Sequence, residues 1–143
     1  MDQANDVFTE KKISLPLESQ KQVNENDRFE QGMRLQEAIF GDVIRQRRQN
    51  APENQKHIQD YLSAFCFGDI YSRSGLDIKT RELLTLCILS ALGGCESQLK
   101  SHVQGNLSVG NDKELMIEAI AQCMPYTGFA RTLNALNCVN EKS

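Results

Sequence analysis

Only two histidines, His57 and His102, occur in the 143 residues, and the five cysteines at 66, 87, 95, 123 and 138 include no CxxC pair. With no HxxxH and no Cys–His cluster, a zinc site of ordinary spacing is excluded, and so is a CxxC dithiol redox centre. Apolar runs are only a few residues long, far short of what a membrane-spanning helix needs. The opening MDQANDVFTEKK lacks the apolar core of a secretory signal. Together with an odd number of cysteines, this leads to the expectation of reduced thiols in a cytoplasmic protein. Positive charge is not in excess: 16 Lys and Arg face 19 Asp and Glu, a net charge of −3. No nucleic-acid partner and no membrane partner are expected. Arg45, Arg47 and Arg48 form a local basic cluster, either a solvated helix face or a ring that attracts a carboxylated substrate.

Strand-like alternation is also missing, so the chain reads as all-α, with about six helices in one domain. Residues 1–24 are polar and aperiodic and are expected to be a flexible arm preceding a domain at 25–143. Ile13, Leu15 and Leu17 alternate around Pro16 and form a strip suited to docking on a neighbouring subunit. A first helix is predicted from about Asp27 to Phe40. A second starts at Ala51-Pro52-Glu53 and continues to Gly68, with Ile58, Tyr61, Leu62, Phe65 and Cys66 at helical spacing. Asp77 is a suitable N-cap for a third helix, apolar nearly all round and therefore expected to be buried on most faces. Gly93-Gly94 ends it, and a more polar helix runs from about Glu96 to Ser108. Asn111-Asp112-Lys113-Glu114 opens a helix expected to break or kink at Pro125. The last runs from Gly128 to Val139 with Leu133, Leu136 and Val139 on one face. Cys66, Cys87 and Cys123 fall inside apolar patterns and read as small hydrophobes. Short helices with one greasy on every side are hard to bury in so small a domain, which leads to the expectation of a homo-oligomer.

The hairpin around Gly93-Gly94 collects an acid, a thiol and an imidazole. Glu82 lies 12 residues before Gly94 and His102 lies 8 after it, about 18 and 12 Å along antiparallel axes. The two side chains thus reach similar heights, offset by about one turn. Cys95 and His102 are seven apart and share a face if the helix includes both. Cys95 also stands at a helix N-terminus, where the dipole favours a thiolate. The three residues suit the roles of nucleophile, proton shuttle and orienter. They equally suit a helix-dipole complement, a cap residue and a structural histidine.

The segments FGDIYSRSGLDIKTRELLTLCILSALGG and NLSVGNDKELMIEAIAQCMPYTGFARTLNAL, with the helix that carries His102 between them, closely resemble the carboxymuconolactone decarboxylase family. The match extends upstream through RFEQGMRLQEAIFGDV and covers about residues 26 to 140. Ala130 departs from the proline usual after the YxGF pattern. The resemblance implies a fold similar to alkylhydroperoxidase D: all-α, built around a helical hairpin, assembled as a homotrimer or homohexamer. For the decarboxylase members it implies loss of CO2 from 4-carboxymuconolactone without a metal or organic cofactor. His102 matches the family histidine and is the candidate for proton delivery. Arg81, Arg73 and Arg131 are candidates, from charge type alone, to hold a substrate carboxylate.

The peroxidase branch of this family relays protons through a glutamate, a CxxC pair and a histidine. Glu82, Cys95 and His102 match three of those places when one extra residue at Gly93-Gly94 is allowed, but Gln98 replaces the partner thiol. The leading expectation is therefore a cofactor-free lyase or proton-transfer enzyme acting on a small carboxylated lactone. The alternatives are a one-cysteine thiol peroxidase centred on Cys95, and a non-catalytic oligomeric binding protein.

Overall fold

A computed structural model describes residues 2–14 and 18–142, and shows helices and no strand among them. The all-α expectation holds, but the helix count rises from about six to eight. The additions are α1 (Asp2–Glu10) and α3 (Val43–Asn50), which flank the expected α2 (Arg28–Phe40). Helix α1 lies within the segment expected as an arm. The chain returns to the domain by Val23, which is buried, and Gln20, whose carbonyl accepts from Ser74 N at 3.0 Å. Ile13 is exposed, while Leu15, Pro16 and Leu17 of the expected docking strip lie outside the described residues.

The helix expected from Pro52 to Gly68 divides into a 3-10 turn (Glu53–Gln55), α4 (Lys56–Tyr61) and a π-helix (Leu62–Tyr71). Its wide register is closed by Ser72 N donating to Phe67 O at 3.1 Å, an i→i−5 bond. The predicted apolar face is turned outward here. Ser63, Phe67, Gly68 and Tyr71 are buried, whereas Ile58, Tyr61, Leu62 and Phe65 border an open hollow of about 530 Å³. The cause is the close approach of α2. A Cβ on Gly32 would overlap the Ser63 carbonyl and lie 2.7 Å from Gly68 N, and one on Gly68 would overlap the Arg28 carbonyl. Two glycines let these backbones touch, so the face carrying Ser63 and Gly68, with Phe67 and Tyr71, goes inside.

Helices α5 (Ile78–Leu92), α6 (Glu96–Ser108), α7 (Lys113–Thr127) and α8 (Phe129–Lys142) form the second half. Their caps follow from the sequence: Asp77 accepts from Thr80 N at 2.8 Å, and Asp112 from Leu115 N at 2.8 Å. Gly93 and Gly94 adopt φ of 69° and 71°, the left-handed conformation that turns α5 into α6. The break expected at Pro125 does not occur, and α7 continues to Thr127. One missing N–H so near the end costs a single hydrogen bond.

Two apolar clusters meet at α5 and α6. Leu86, Leu99, Val103, Met116, Ile120, Ala135, Cys138 and Val139 form one, while Ile39, Phe67 and Tyr71 form the other with Phe40 and Cys66 packed on it. The expectation that α5 is buried on most faces is overturned. Glu82, Leu86 and Ser90 are buried, but Leu84, Ile88 and Leu92 are exposed, because α6, α7 and α8 all lie on one side of it. Helix α8 likewise buries Thr132, Ala135, Cys138 and Val139, and leaves Leu133 of its predicted face outside.

Candidate functional site

The seam between the two clusters holds the polar centre. Glu82 on α5 is fully buried, and its Oε2 accepts from His102 Nδ1 on α6 at 2.8 Å. The His102 side chain retains 15% of its exposure, so the ring lies between the interior and solvent. Glu82 Oε1 is buried without a hydrogen-bond partner. An ionised carboxylate taken out of water needs such partners, so an unused oxygen at this depth marks an acceptor that a ligand or a proton can use.

Surrounding side chains hold the pair in place. Asn106, one turn after His102, is buried and donates from Nδ2 to Glu82 O at 3.0 Å and to His102 O at 2.8 Å. Its own Oδ1 accepts from Asn111 Nδ2 at 2.8 Å. This ties α5 to α6 through main-chain groups, independently of the carboxylate. Phe40 meets the imidazole edge to face, with ring centroids 5.2 Å apart. Gly105 makes room for both: a Cβ there would lie 2.5 Å from Glu82 Oε2 and 2.8 Å from Phe40 Cε1.

The π-helix supplies the remaining wall. Tyr71 hydrogen-bonds through its hydroxyl with Thr85 and lies close to the Glu82 carboxylate. Burial, and then the Glu82 charge, raise the Tyr71 phenol well above its ordinary pKa, so it stays a neutral donor. Burial and the same charge also push the Cys66 thiol up. Cys66 and Tyr71, five residues apart, reach the same cluster because the π register brings such positions together.

The predicted site residues are distributed as follows. Glu82 and His102 are brought together as the offset along the hairpin required. Cys95 is the N-cap of α6, about 10 Å along the axis from His102. Its thiol donates to Leu89 O at 3.4 Å, and it borders a small crevice with Arg131, Asn134 and Ala135. Arg81 spends its guanidinium on main-chain carbonyls, with Nε donating to Leu76 O at 3.2 Å and one terminal nitrogen to Arg73 O at 2.6 Å. Arg73 is part of the loop that Arg81 pins, and Arg131 lies against Gly93. Of the basic cluster, Arg45 pairs with Glu37, Arg48 pairs with Asp60, and Arg47 lines an open groove of about 740 Å³. Phe40, Ser101 and Lys100 line the same groove, with Phe40 between it and the imidazole. Among the described residues no group of three His, Cys, Asp or Glu side chains is placed to hold a metal ion.

Tyr71, Thr85, Asn106 and Phe40 were not singled out from the sequence. Thr85 and Asn106 each stand one helical turn beyond a predicted site residue, a signal that was available. Tyr71 and Phe40 come from other elements, and helical periodicity carries no information about them.

The chain is 28% identical over 120 residues to the 4-carboxymuconolactone decarboxylase of Acinetobacter baylyi (strain ATCC 33305 / BD413 / ADP1), covering 83% of this chain and 89% of that protein. It is also 37% identical over 71 residues to an uncharacterized 15.0 kDa protein in the nqo9-nqo10 intergenic region of Paracoccus denitrificans, covering 49% of this chain and 53% of that one. Residues 56–141, which take in the π-helix and helices α5 to α8 up to Glu141, including the Glu82–His102 pair, match the carboxymuconolactone decarboxylase family. The chain belongs to that family.

Proposed function

We propose that the protein catalyses cofactor-free decarboxylation of a small carboxylated lactone of the 4-carboxymuconolactone type, with Glu82 and His102 as the proton-transfer pair. The observation that carries this is the 2.8 Å hydrogen bond from a partly exposed imidazole to a fully buried carboxylate. Breaking the bond to the departing carboxylate sends its electron pair through the ring alkene to the lactone carbonyl. The resulting anion needs a donor at oxygen and a proton at carbon. With Nδ1–H engaged by Glu82, His102 turns Nε2 to the reacting atoms, while the neutral Tyr71 hydroxyl, held by Thr85, walls the same carboxylate. A groove with Arg47 and Lys100 as cations lies on the far side of Phe40 from the imidazole, so a substrate held there reaches His102 only when Phe40 turns aside. Lys100 shares its charge with Glu141.

Replacing His102 with alanine is expected to lower kcat/KM on 4-carboxymuconolactone by about 10²–10⁴-fold, the usual worth of positioned acid–base catalysis. Cys95→Ser is expected to leave that turnover intact. Retention of turnover in His102→Ala would overturn the assignment. Hydroperoxide turnover with a dithiol reductant, abolished by Cys95→Ser, would instead favour the thiol peroxidase reading. Silence of the wild type in both assays would favour a binding role.

We also propose that the working unit is a homo-oligomer. Leu92, Tyr126 and Phe129 are 65%, 91% and 70% exposed in the single chain, and Leu84 and Ile88 continue the stripe on α5. Burying such side chains contributes about 1.5–3 kcal/mol each. Light scattering behind size exclusion should show an assembly for the wild type and a shift toward monomer for Ile88→Glu. A monomeric wild type would refute the proposal.

A further inference from the structure

One buried amide holds the main chain of both members of the Glu82–His102 pair. Asn106 is fully buried, and its Nδ2 donates to Glu82 O at 3.0 Å and to His102 O at 2.8 Å, which uses both amide hydrogens. Its Oδ1 faces the other way and accepts from Asn111 Nδ2 at 2.8 Å. Asn111, buried between α6 and α7, places its second amide hydrogen on Lys79 O at 2.9 Å, and its main-chain N–H donates to Asn106 O at 2.9 Å. Two side chains thus grip α5 at Lys79 and Glu82, about one helical turn apart, and α6 at His102. Within a helix each carbonyl already accepts the N–H four residues on. Glu82 O and His102 O are satisfied in that way by Leu86 N and Asn106 N, so the side-chain bonds repair no helix end. What they fix is the height of one helix against the other. A leucine of similar size would fill the same space without fixing that height.

We propose that Asn106, held by Asn111, is a positioning residue that sets the axial register of α5 against α6 and so keeps the His102 imidazole on the Glu82 carboxylate. This rests on the reading of Glu82 and His102 as the proton-transfer pair. The Asn106 amide bonds to main-chain carbonyls, so it acts through the backbone of both residues and gives no proton to the reaction. A slide by one residue's rise, about 1.5 Å, misaligns His102 Nδ1–H with Glu82 Oε2 across their 2.8 Å bond. Misplacement on that scale costs about 10²-fold in rate. The fit around the pair leaves little room to absorb such a slide. A Cβ on Gly105, the residue before Asn106, would lie 2.5 Å from Glu82 Oε2, so the α6 backbone runs directly against the carboxylate.

Imidazole NMR and steady-state kinetics on the full-length protein test it together. The chain has only two histidines, so with nitrogen-labelled histidine His57 serves as the internal reference for His102. In Asn106→Leu, which keeps the volume and removes the donors, the His102 Nδ1–H resonance is expected to broaden or vanish while His57 is unchanged. On 4-carboxymuconolactone kcat should fall about 10²-fold with KM little changed. Asn111→Leu leaves both Asn106 donors in place, and is expected to weaken the same resonance and lower kcat by less. Wild type alone gives a check where a variant fails to fold: the Asn106 side-chain amide protons should exchange with solvent far more slowly than exposed side-chain amides. Exchange at the exposed rate would overturn the proposal. So would Asn106→Leu with wild-type kcat and an unchanged His102 resonance. Loss of kcat with that resonance unchanged would also overturn it, by separating Asn106 from the imidazole. If wild type turns over no 4-carboxymuconolactone, the decarboxylase reading fails alone, because the imidazole resonance still decides whether Asn106 positions His102.

Discussion

Exchanging Glu82 for glutamine is expected to lower kcat/KM on 4-carboxymuconolactone by about 10²–10⁴-fold while Tm stays level or rises. The two effects part because the carboxylate does different work in each. For catalysis its charge accepts the Nδ1–H of His102 and steadies the ring through proton transfer. A glutamine oxygen still accepts that bond, but without charge, and leaves the imidazole a poorer acid–base. For folding, Glu82 is a fully buried acid with Oε1 unpartnered. A carboxyl group buried with an unpartnered oxygen is costly to keep charged, and the neutral amide removes part of that cost. Asn106 continues to bridge α5 and α6 through main-chain carbonyls. Steady-state kinetics and a thermal melt on the same preparation check this. Activity lost together with a lower Tm would mean that Glu82 serves the fold, and the proton-relay assignment would fail.

Gly32→Ala is expected to destabilise the protein by about 3 kcal/mol or more, lowering Tm by roughly 10 °C. Alanine is favoured over glycine inside a helix by about 1 kcal/mol, so local propensity alone predicts the opposite sign. The new methyl, however, would overlap the Ser63 carbonyl and approach Gly68 N at 2.7 Å. Backbone of another helix cannot rotate away as a side chain can, so α2 must move bodily off the π-helix. Phe40 sits at the end of α2 against His102, and activity should therefore fall with stability. A urea or thermal melt decides it. An unchanged or raised Tm would show that α2 and the π-helix are not in backbone contact.

Much of the site was legible before the fold was known. The 12- and 8-residue offsets around Gly94 placed Glu82 and His102 near one height, and the two side chains meet. The same arithmetic could not tell which way Cys95 points. Seven residues put it on the histidine's face only within regular helix, and as the N-cap its backbone has φ −132° and ψ 41°, outside the helical range. Charge type nominated Arg81, but the chain needed its guanidinium to hold the Leu76, Arg73 and Ser74 carbonyls. A carbonyl's need for a donor leaves no mark in a one-dimensional pattern.

By itself the sequence determined those features governed by neighbours a turn or two away: the Asp77 and Asp112 caps, the left-handed Gly93-Gly94 turn, and the all-helical class. Local sterics and short-range hydrogen bonds act on adjacent residues, and adjacency is what a sequence records. Only the tertiary structure decided which faces are covered. It set the π register of residues 62–71 against α2, the outward stripe of Leu84, Ile88 and Leu92, and the Tyr71 wall beside Glu82. Burial depends on what other elements pack against a face, and that is a property of the assembled chain.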